Sequence, residues 1–242
     1  MEIGVVLVEP EDPGNIGAVA RVMHNFGLEK LIVVSPKTKI GGEAWARAMH
    51  GKHVLEKVEI VPDLGSAIEN FDFVVGTTGI PGGDKNPLRT TISSKKLPEI
   101  FGGRSGSVAI LFGREGDGLT NQELSKCDFV VSIPANPSYP VLNVSHAAAI
   151  IFYELYHDRK VFMGGARLAS REEKERILAN IERISDLLGY PEHRKRVLLT
   201  IIKQLMGRVF LTGREAYTII GLTRRIANRI GTSQQDRSKQ SF

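Results

Sequence analysis

The chain has 242 residues, 42% hydrophobic and 24% charged, with a formal net charge of +5. That is an ordinary globular mix, long enough for one domain and an appendage. No apolar run reaches the ~18 residues a membrane helix needs, and Cys127 as the sole cysteine excludes an internal disulfide and argues against a cysteine-built metal site.

From the start, Met1-Glu2-Ile3-Gly4 lacks the basic segment of a secretory signal, so a cytoplasmic protein is expected. Strand-like runs follow at 3–8, 31–35, 58–61, 73–77, 108–112 and 129–133. They are continuous and rich in Val and Ile, as in parallel strands buried on both faces. Helical patterns fall between them, near 15–27, 43–51, 63–70, 93–101, 120–126 and 143–157. Thr120 with Glu123 reads as a capping box. The alternation predicts an α/β fold, a mostly parallel sheet with flanking helices.

The alternation stops at Met163-Gly164-Gly165. Beyond it the pattern is helical only. Ser170 with Glu173 opens a helix that Gly189 closes. Pro191 suits the first turn of a second helix, and Thr212 with Glu215 opens a third, to about Ile230. Three parts are therefore expected: an α/β domain over 1–163, an all-α extension over 167–231 and a disordered tail over 232–242. Residues 1–166 carry a net charge of −3 and residues 167–242 a net charge of +8. A basic extension on an acidic body points to a polyanion partner, against the plainer reading of a solvated helical face.

Chemistry concentrates where predicted strands end, which is where open α/β sheets bind ligands. After the first strand comes Asn15-Ile16-Gly17-Ala18-Val19-Ala20-Arg21. Asn15 reads as an N-cap, with Gly17 and Ala18 allowing close backbone approach. Such a helix start can hold an anion, and Arg21 adds a cationic fork. Taken alone, this segment also reads as a plain capped helix with a surface arginine. After the strand at 108–112 comes Gly113-Arg114-Glu115-Gly116-Asp117-Gly118-Leu119. Three glycines in six residues imply positive φ angles or a closely approaching ligand, more than a simple turn requires. After the last strand, Pro134-Ala135-Asn136-Pro137-Ser138-Tyr139-Pro140-Val141-Leu142-Asn143 reads equally as a stiff ligand wall or a structural crossover. Gly76-Thr77-Thr78-Gly79 is a fainter fourth wall. No P-loop or Gly-x-Gly-x-x-Gly is present, which counts against a Rossmann-type nucleotide enzyme. The histidines form no convincing metal set, so no metal is expected. Trp45 reads as packing.

The order and wording of these segments resemble the SPOUT superfamily of knotted methyltransferases, the TrmH family of RNA ribose 2′-O-methyltransferases, and most of all its TrmJ-type tRNA enzymes. The match runs over 1–158, and the stretch from Met206 to Glu215 resembles the TrmJ-type helical extension. The resemblance implies a trefoil knot in the α/β domain, a homodimer with its site near the subunit interface, S-adenosylmethionine as cofactor and tRNA as partner, with no membrane contact. It implies cofactor contacts from Thr77, Thr78, Gly79, Gly113, Glu115, Ile133, Leu142 and Asn143. It makes Arg21 catalytic, with Asn15 ordering the same loop, and gives Arg114 to substrate phosphate or interface contacts. Arg194, Lys195, Arg196, Arg208, Arg224, Arg225 and Arg229 are the candidates for RNA phosphates, about half of them plain solvated cations.

Two departures stand out. Pro140 and Val141 replace serines usual in related enzymes. Ile80 stands where an Arg or Lys often follows the threonines, which moves that RNA contact toward Lys85 or Arg89. The expected reaction is methyl transfer to a ribose 2′-hydroxyl, at position 32 of the anticodon loop by the same resemblance, on cytidine alone or on uridine as well. A guanidinium is too weak an acid to serve as base, so Arg21 is read as stabilising the oxyanion. The alternatives are a 2′-O-methyltransferase of another RNA and a non-catalytic RNA-binding protein on the same fold.

Overall fold

The structure, a computed structural model, describes residues 1–82, 90–102, 105–157 and 167–239, the last seven by backbone alone. The break expected at Met163-Gly164-Gly165 and the candidates Lys85 and Arg89 lie outside the described residues. The chain divides into two compact units, Met1–Gly165 and Ala166–Phe242.

The first unit holds a parallel sheet of seven strands. They are β1 (Glu2–Val8), β2 (Lys30–Val34), β3 (Glu59–Val61), β4 (Phe73–Thr77), β5 (Thr91–Ser93), β6 (Ser107–Phe112) and β7 (Phe129–Ser132). Their spatial order is β3-β2-β1-β6-β4-β7-β5. The sixth strand in sequence thus sits at the centre, pairing Val5 with Ile110 on one side and Val75 with Ile110 on the other. The helices are α1 (Pro13–Asn25), α2 (Gly42–Ala48), α3 (Lys52–Glu56), α4 (Leu64–Ile68), α5 (Leu97–Phe101), α6 (Asn121–Leu124) and α7 (Val144–His157). Val6, Val8, Ile32, Val34, Val74, Ala109 and Leu111 face one layer, with Leu64, Ile68, Phe71 and Leu124. The opposite strand residues meet α5 and α7, as Phe73 does Phe101 and Phe112 does Phe152. Burial on both faces explains the unbroken apolar runs.

β5 went unforeseen because three residues are too few to show a period; the sequence reading put a helix from 93, and α5 begins at Leu97. The helix expected over 43–51 divides into α2 and a 3₁₀ turn, Met49–Gly51, with Met49 at φ 50°; α3 follows and went unforeseen.

Gly17 serves packing rather than an anion. A Cβ there would lie 2.1 Å from the Ala44 carbonyl oxygen, so the glycine lets α1 and α2 touch backbone to backbone. An alanine in mid-helix normally gains about 1 kcal/mol over glycine. Here the sign reverses: Gly17→Ala must push the helices apart, at a cost of about 1–3 kcal/mol. The check is a urea titration, in which the midpoint falls with little change in slope.

The second unit is helical: α8 (Arg171–Leu187), α9 (Glu192–Arg208) and α10 (Gly213–Lys239). Ile177, Met206, Leu211 and Ala216 form its core with Ile181, Ile202, Ile219 and Ile220. The capping boxes at Ser170 and Thr212 form, and Gly189 ends α8 at φ 65°. Pro191 takes the cap position of α9 rather than its first turn. Helical backbone in α10 runs to Lys239, past the end expected near Ile230. One helical glycine, Gly231, costs too little to stop a helix. Among the described residues no helix is long and apolar enough to cross a membrane.

Candidate active site

At the carboxyl ends of β4, β6 and β7 lies a pocket of about 840 Å³ including its open mouth. Thr77, Thr78 and Gly79 form one wall, Gly113 to Leu119 a second, and Ile133 with Pro140, Val141 and Leu142 a third. Ala147 and Ile151 of α7 make the apolar floor. These strands are adjacent in the sheet, so three loops far apart in sequence become one site. Thr77 Oγ1 donates to the Leu111 carbonyl at 2.8 Å and Thr78 N to the Val131 carbonyl at 3.0 Å. The first wall is thereby tied to both neighbours.

The glycine loop closes on itself. Arg114 and Gly118 exchange backbone hydrogen bonds of 3.3 and 3.0 Å. A Cβ on Gly113 would lie 2.1 Å from the Gly118 carbonyl carbon, and Gly118 has φ 66°. Close approach by the loop's own backbone therefore requires Gly113, and a left-handed turn requires Gly118. Gly116 meets neither demand.

A relay of side chains joins the first segment to the other two. Glu115 accepts hydrogen bonds from Glu11 N at 3.0 Å, Asp12 N at 3.2 Å and Asn15 Nδ2 at 3.0 Å. Asn15 Oδ1 accepts from Asn143 Nδ2 at 3.0 Å, and Asn143 Oδ1 accepts from Ser145 N at 2.8 Å. The direction is fixed at both ends. Ser145 N can only donate and a carboxylate at Glu115 can only accept, so each amide has a single orientation. Asn15 is buried inside the first turn of α1, and the N-cap is Asp12, whose side chain accepts from Gly14 N at 2.7 Å. The Asp-Pro pair at 12–13 carried that signal, an N-cap followed by proline at the first helical position. The start of α1 therefore receives carboxylates of the chain itself, Asp12 and Glu115, and not an outside anion.

The sequence pattern of the SpoU rRNA Methylase family matches residues 2–153. The chain belongs to that family. It is 41% identical to the tRNA (cytidine-2′-O-)-methyltransferase TrmJ of Methanocaldococcus jannaschii, over 90% of this chain and 96% of that one. The crystal structure of TrmJ from Z. mobilis ZM4 superposes with a TM-score of 0.71 at 26% identity, over 93% of this chain and 99% of that one. The SpoU methyltransferase AviRb from Streptomyces viridochromogenes, solved with the cofactor AdoMet, gives a TM-score of 0.53 at 26% identity, over 65% of this chain and 60% of that one.

Seven of the sequence-chosen cofactor residues line this SpoU pocket: Thr77, Thr78, Gly79, Gly113, Glu115, Ile133 and Leu142. Asn143 stands just behind, in the relay. Pro140 and Val141, from the proline-rich segment, and Ile80, noticed only as a departure, are also in the lining.

Arg114 departs from its expected role. Its guanidinium binds Glu9 at 3.1 Å and Glu123 at 2.9 Å, with Lys37 on the far side of Glu9 at 2.9 Å. Two carboxylates already use that charge, which counts against the phosphate half of the expected phosphate or interface role; the guanidinium clamps the glycine loop to the end of β1. The Lys37 hydrogen bond, then Arg114, holds the Glu9 carboxyl below its ordinary 4.5. Burial pushes Glu123 up, but Arg114 and the Thr120 amide outweigh it and leave it below 4.5. Both values are depressed on folding, so the stability they confer is present above pH 4.5 and is lost as pH falls through the depressed values. Denaturant titrations from pH 6 down to about 3 should show that loss. In Arg114→Gln the loss should flatten in part, since burial of Glu123 is then opposed by Thr120 alone while Lys37 still holds Glu9 down.

Arg21 lies outside the pocket lining. It is exposed, about 9 Å along the axis of α1 from Asn15 at 1.5 Å per residue, and has no hydrogen bond or ion pair among the described residues. In the second unit Arg194, Arg224 and Arg225 are exposed and Arg208 is half-buried. Arg196 stands 3.5 Å from Glu192. Lys195 departs from expectation: only 11% of its side chain is exposed, and Asp186 at 2.7 Å and Glu192 at 2.8 Å take its charge. Asp186 first and Glu192 second raise its pKa, so this lysine braces α9 against the end of α8 rather than meeting phosphate.

Proposed function

We propose that this SpoU-family enzyme transfers the methyl group of S-adenosylmethionine to a ribose 2′-hydroxyl of tRNA, at position 32 of the anticodon loop, on cytidine alone or on uridine as well. The observation that carries the reading is the convergence of Asn15, Glu115 and Asn143 on one hydrogen-bonded relay beside the pocket. The likeness to a TrmJ over nearly the whole chain supports tRNA as substrate, and a tRNA substrate would place the enzyme in the cytoplasm.

The makeup of the pocket fits the cofactor. Ile133, Leu142 and Ile151 offer apolar faces for a flat base, and the loop backbones at Thr78–Gly79 and Gly113 offer polar edges. Asp117 and Glu115 in the lining would suit a cationic sulfonium. Bound there, the cofactor supplies an activated methyl group. The chain supplies position and charge. Its loops hold the donor at fixed distance, a contribution that can reach about 7–11 kcal/mol in well-oriented reactions. Arg21 steadies the 2′-oxygen as its proton passes to a substrate phosphate or to water, and grips the neighbouring phosphate. Because Arg21 is not in the lining of its own pocket, we assign it to the substrate side of the site, near a subunit interface of a homodimer. The trefoil knot belongs to the same proposal.

The test is incorporation of labelled methyl from S-adenosylmethionine into unmodified tRNA, followed by nuclease digestion to place the label. Label on a ribose in the anticodon loop would support the reading. Measurable cofactor binding with no label on any tRNA would move it to another RNA, or to a non-catalytic binding protein.

A further inference from the structure

One face of α10 carries residues that the reading above leaves without a specific role. Arg214, Tyr217, Gly221, Arg224 and Asn228 fall within about a quarter of the helix circumference at 3.6 residues per turn. Ala216 and Ala227, roughly a third of a turn away, are buried. Tyr217 is 79% exposed, more than any other large apolar or aromatic side chain among the described residues. One turn on, a Cβ at Gly221 would meet nothing within 4 Å, so the flank of the ring is uncovered.

The charge on this face has one sign. Residues 213–232 contain Arg214, Arg224, Arg225 and Arg229 against a single acid, Glu215. Glu215 turns back to its capping partner, accepting from Thr212 N and Thr212 Oγ1 at 2.8 Å each. An open aromatic ring beside Arg214, Arg224 and Arg225, none of them in an ion pair among the described residues, is the arrangement that holds single-stranded nucleic acid, where every base offers a π-face.

We propose that Tyr217 is a stacking platform for an unpaired base of the substrate RNA, with Arg224 and Arg225 on the adjoining phosphates. This rests on the tRNA reading above and adds to it. A duplex hides its base faces, so the contact falls on a loop or a single-stranded end. The extension then recognises unpaired nucleotides, beyond attracting a polyanion. Stacking depends weakly on salt and phosphate contact strongly, which separates the two residue types.

The experiment is binding of an unmodified tRNA transcript to the full-length chain, titrated across salt concentrations, for wild type, Tyr217→Ala, Tyr217→Phe and the Arg224→Ala/Arg225→Ala pair. Tyr217→Ala should weaken binding at least about 5-fold at each salt, with the log–log salt slope unchanged. Tyr217→Phe should bind like wild type. The arginine pair should lower the slope by roughly 0.7–0.9 per lost contact. The exposure of Tyr217 predicts unchanged thermal melting for both of its variants. Wild-type affinity in Tyr217→Ala, or equal weakness in Tyr217→Phe, would overturn the stacking role while leaving the tRNA reading in place. Wild-type protein that binds no tRNA at any salt would overturn the tRNA reading and the stacking role with it.

Discussion

Arg21→Ala lowers the rate of methyl transfer by at least about a hundredfold, the scale for losing one preorganised donor at a developing oxyanion, and leaves cofactor affinity where it was. The two halves of this expectation have separate causes. Arg21 is exposed and unengaged among the described residues, so its removal leaves no partner unsatisfied. It is absent from the pocket lining, so the cofactor loses no contact. What disappears is the guanidinium at this position of α1; His24, one turn on, packs edge-on against His53. Arg21→Lys keeps the charge but loses the planar fork, and should recover only part of the rate. Single-turnover transfer alongside calorimetric titration of S-adenosylmethionine separates the two. An unchanged rate would remove Arg21 from the chemistry. A loss of cofactor affinity would put it in the pocket instead.

Asn15→Asp is the second large effect, through position rather than charge transfer. It sets a carboxylate where Asn15 Nδ2 now stands 3.0 Å from Glu115. Two carboxylates so close cannot both remain ionised, and one pKa rises. At neutral pH the relay breaks, and the Asn15–Glu115 link between α1 and the glycine loop is lost. Stability should drop by about 1–3 kcal/mol, the cost of leaving buried polar groups unsatisfied, and cofactor affinity should fall with it. As pH is lowered toward about 5 the pair can share a proton and the defect should shrink, opposite to the acid loss expected from Glu9 and Glu123. Cofactor titrations at pH 8 and 5.5 on the variant and wild type test this. A defect equal at both would mean that Asn15 acts by packing alone.

Much of the architecture was legible in the residues. Unbroken Val and Ile runs gave six of the seven strands, because parallel strands buried on both faces need apolar side chains at every position. Ser170 with Glu173, Thr120 with Glu123 and Thr212 with Glu215 marked helix starts, because a capping box is a contact over three residues and needs no tertiary partner. The glycine loop also stood out, though for a partly different cause: Gly113 is required by the chain's own Gly118 rather than by a ligand.

The sequence by itself determined the alternation of strand and helix, the change to a basic helical extension and the family, since each is written in local pattern or motif order. Only the tertiary structure decided which charges are free. Arg114 and Lys195 looked as available as Arg21 or Arg224, yet each is matched by carboxylates, from Glu9 and Glu123 in one case and from Asp186 and Glu192 in the other. It also brought Asn15, Glu115 and Asn143 together across separations of 100 and 128 residues. The physical reason is the same in both. Ion pairs and relays depend on distances of about 3 Å between side chains, and those distances are set by the strand order that places β6 between β1 and β4, which no local pattern encodes.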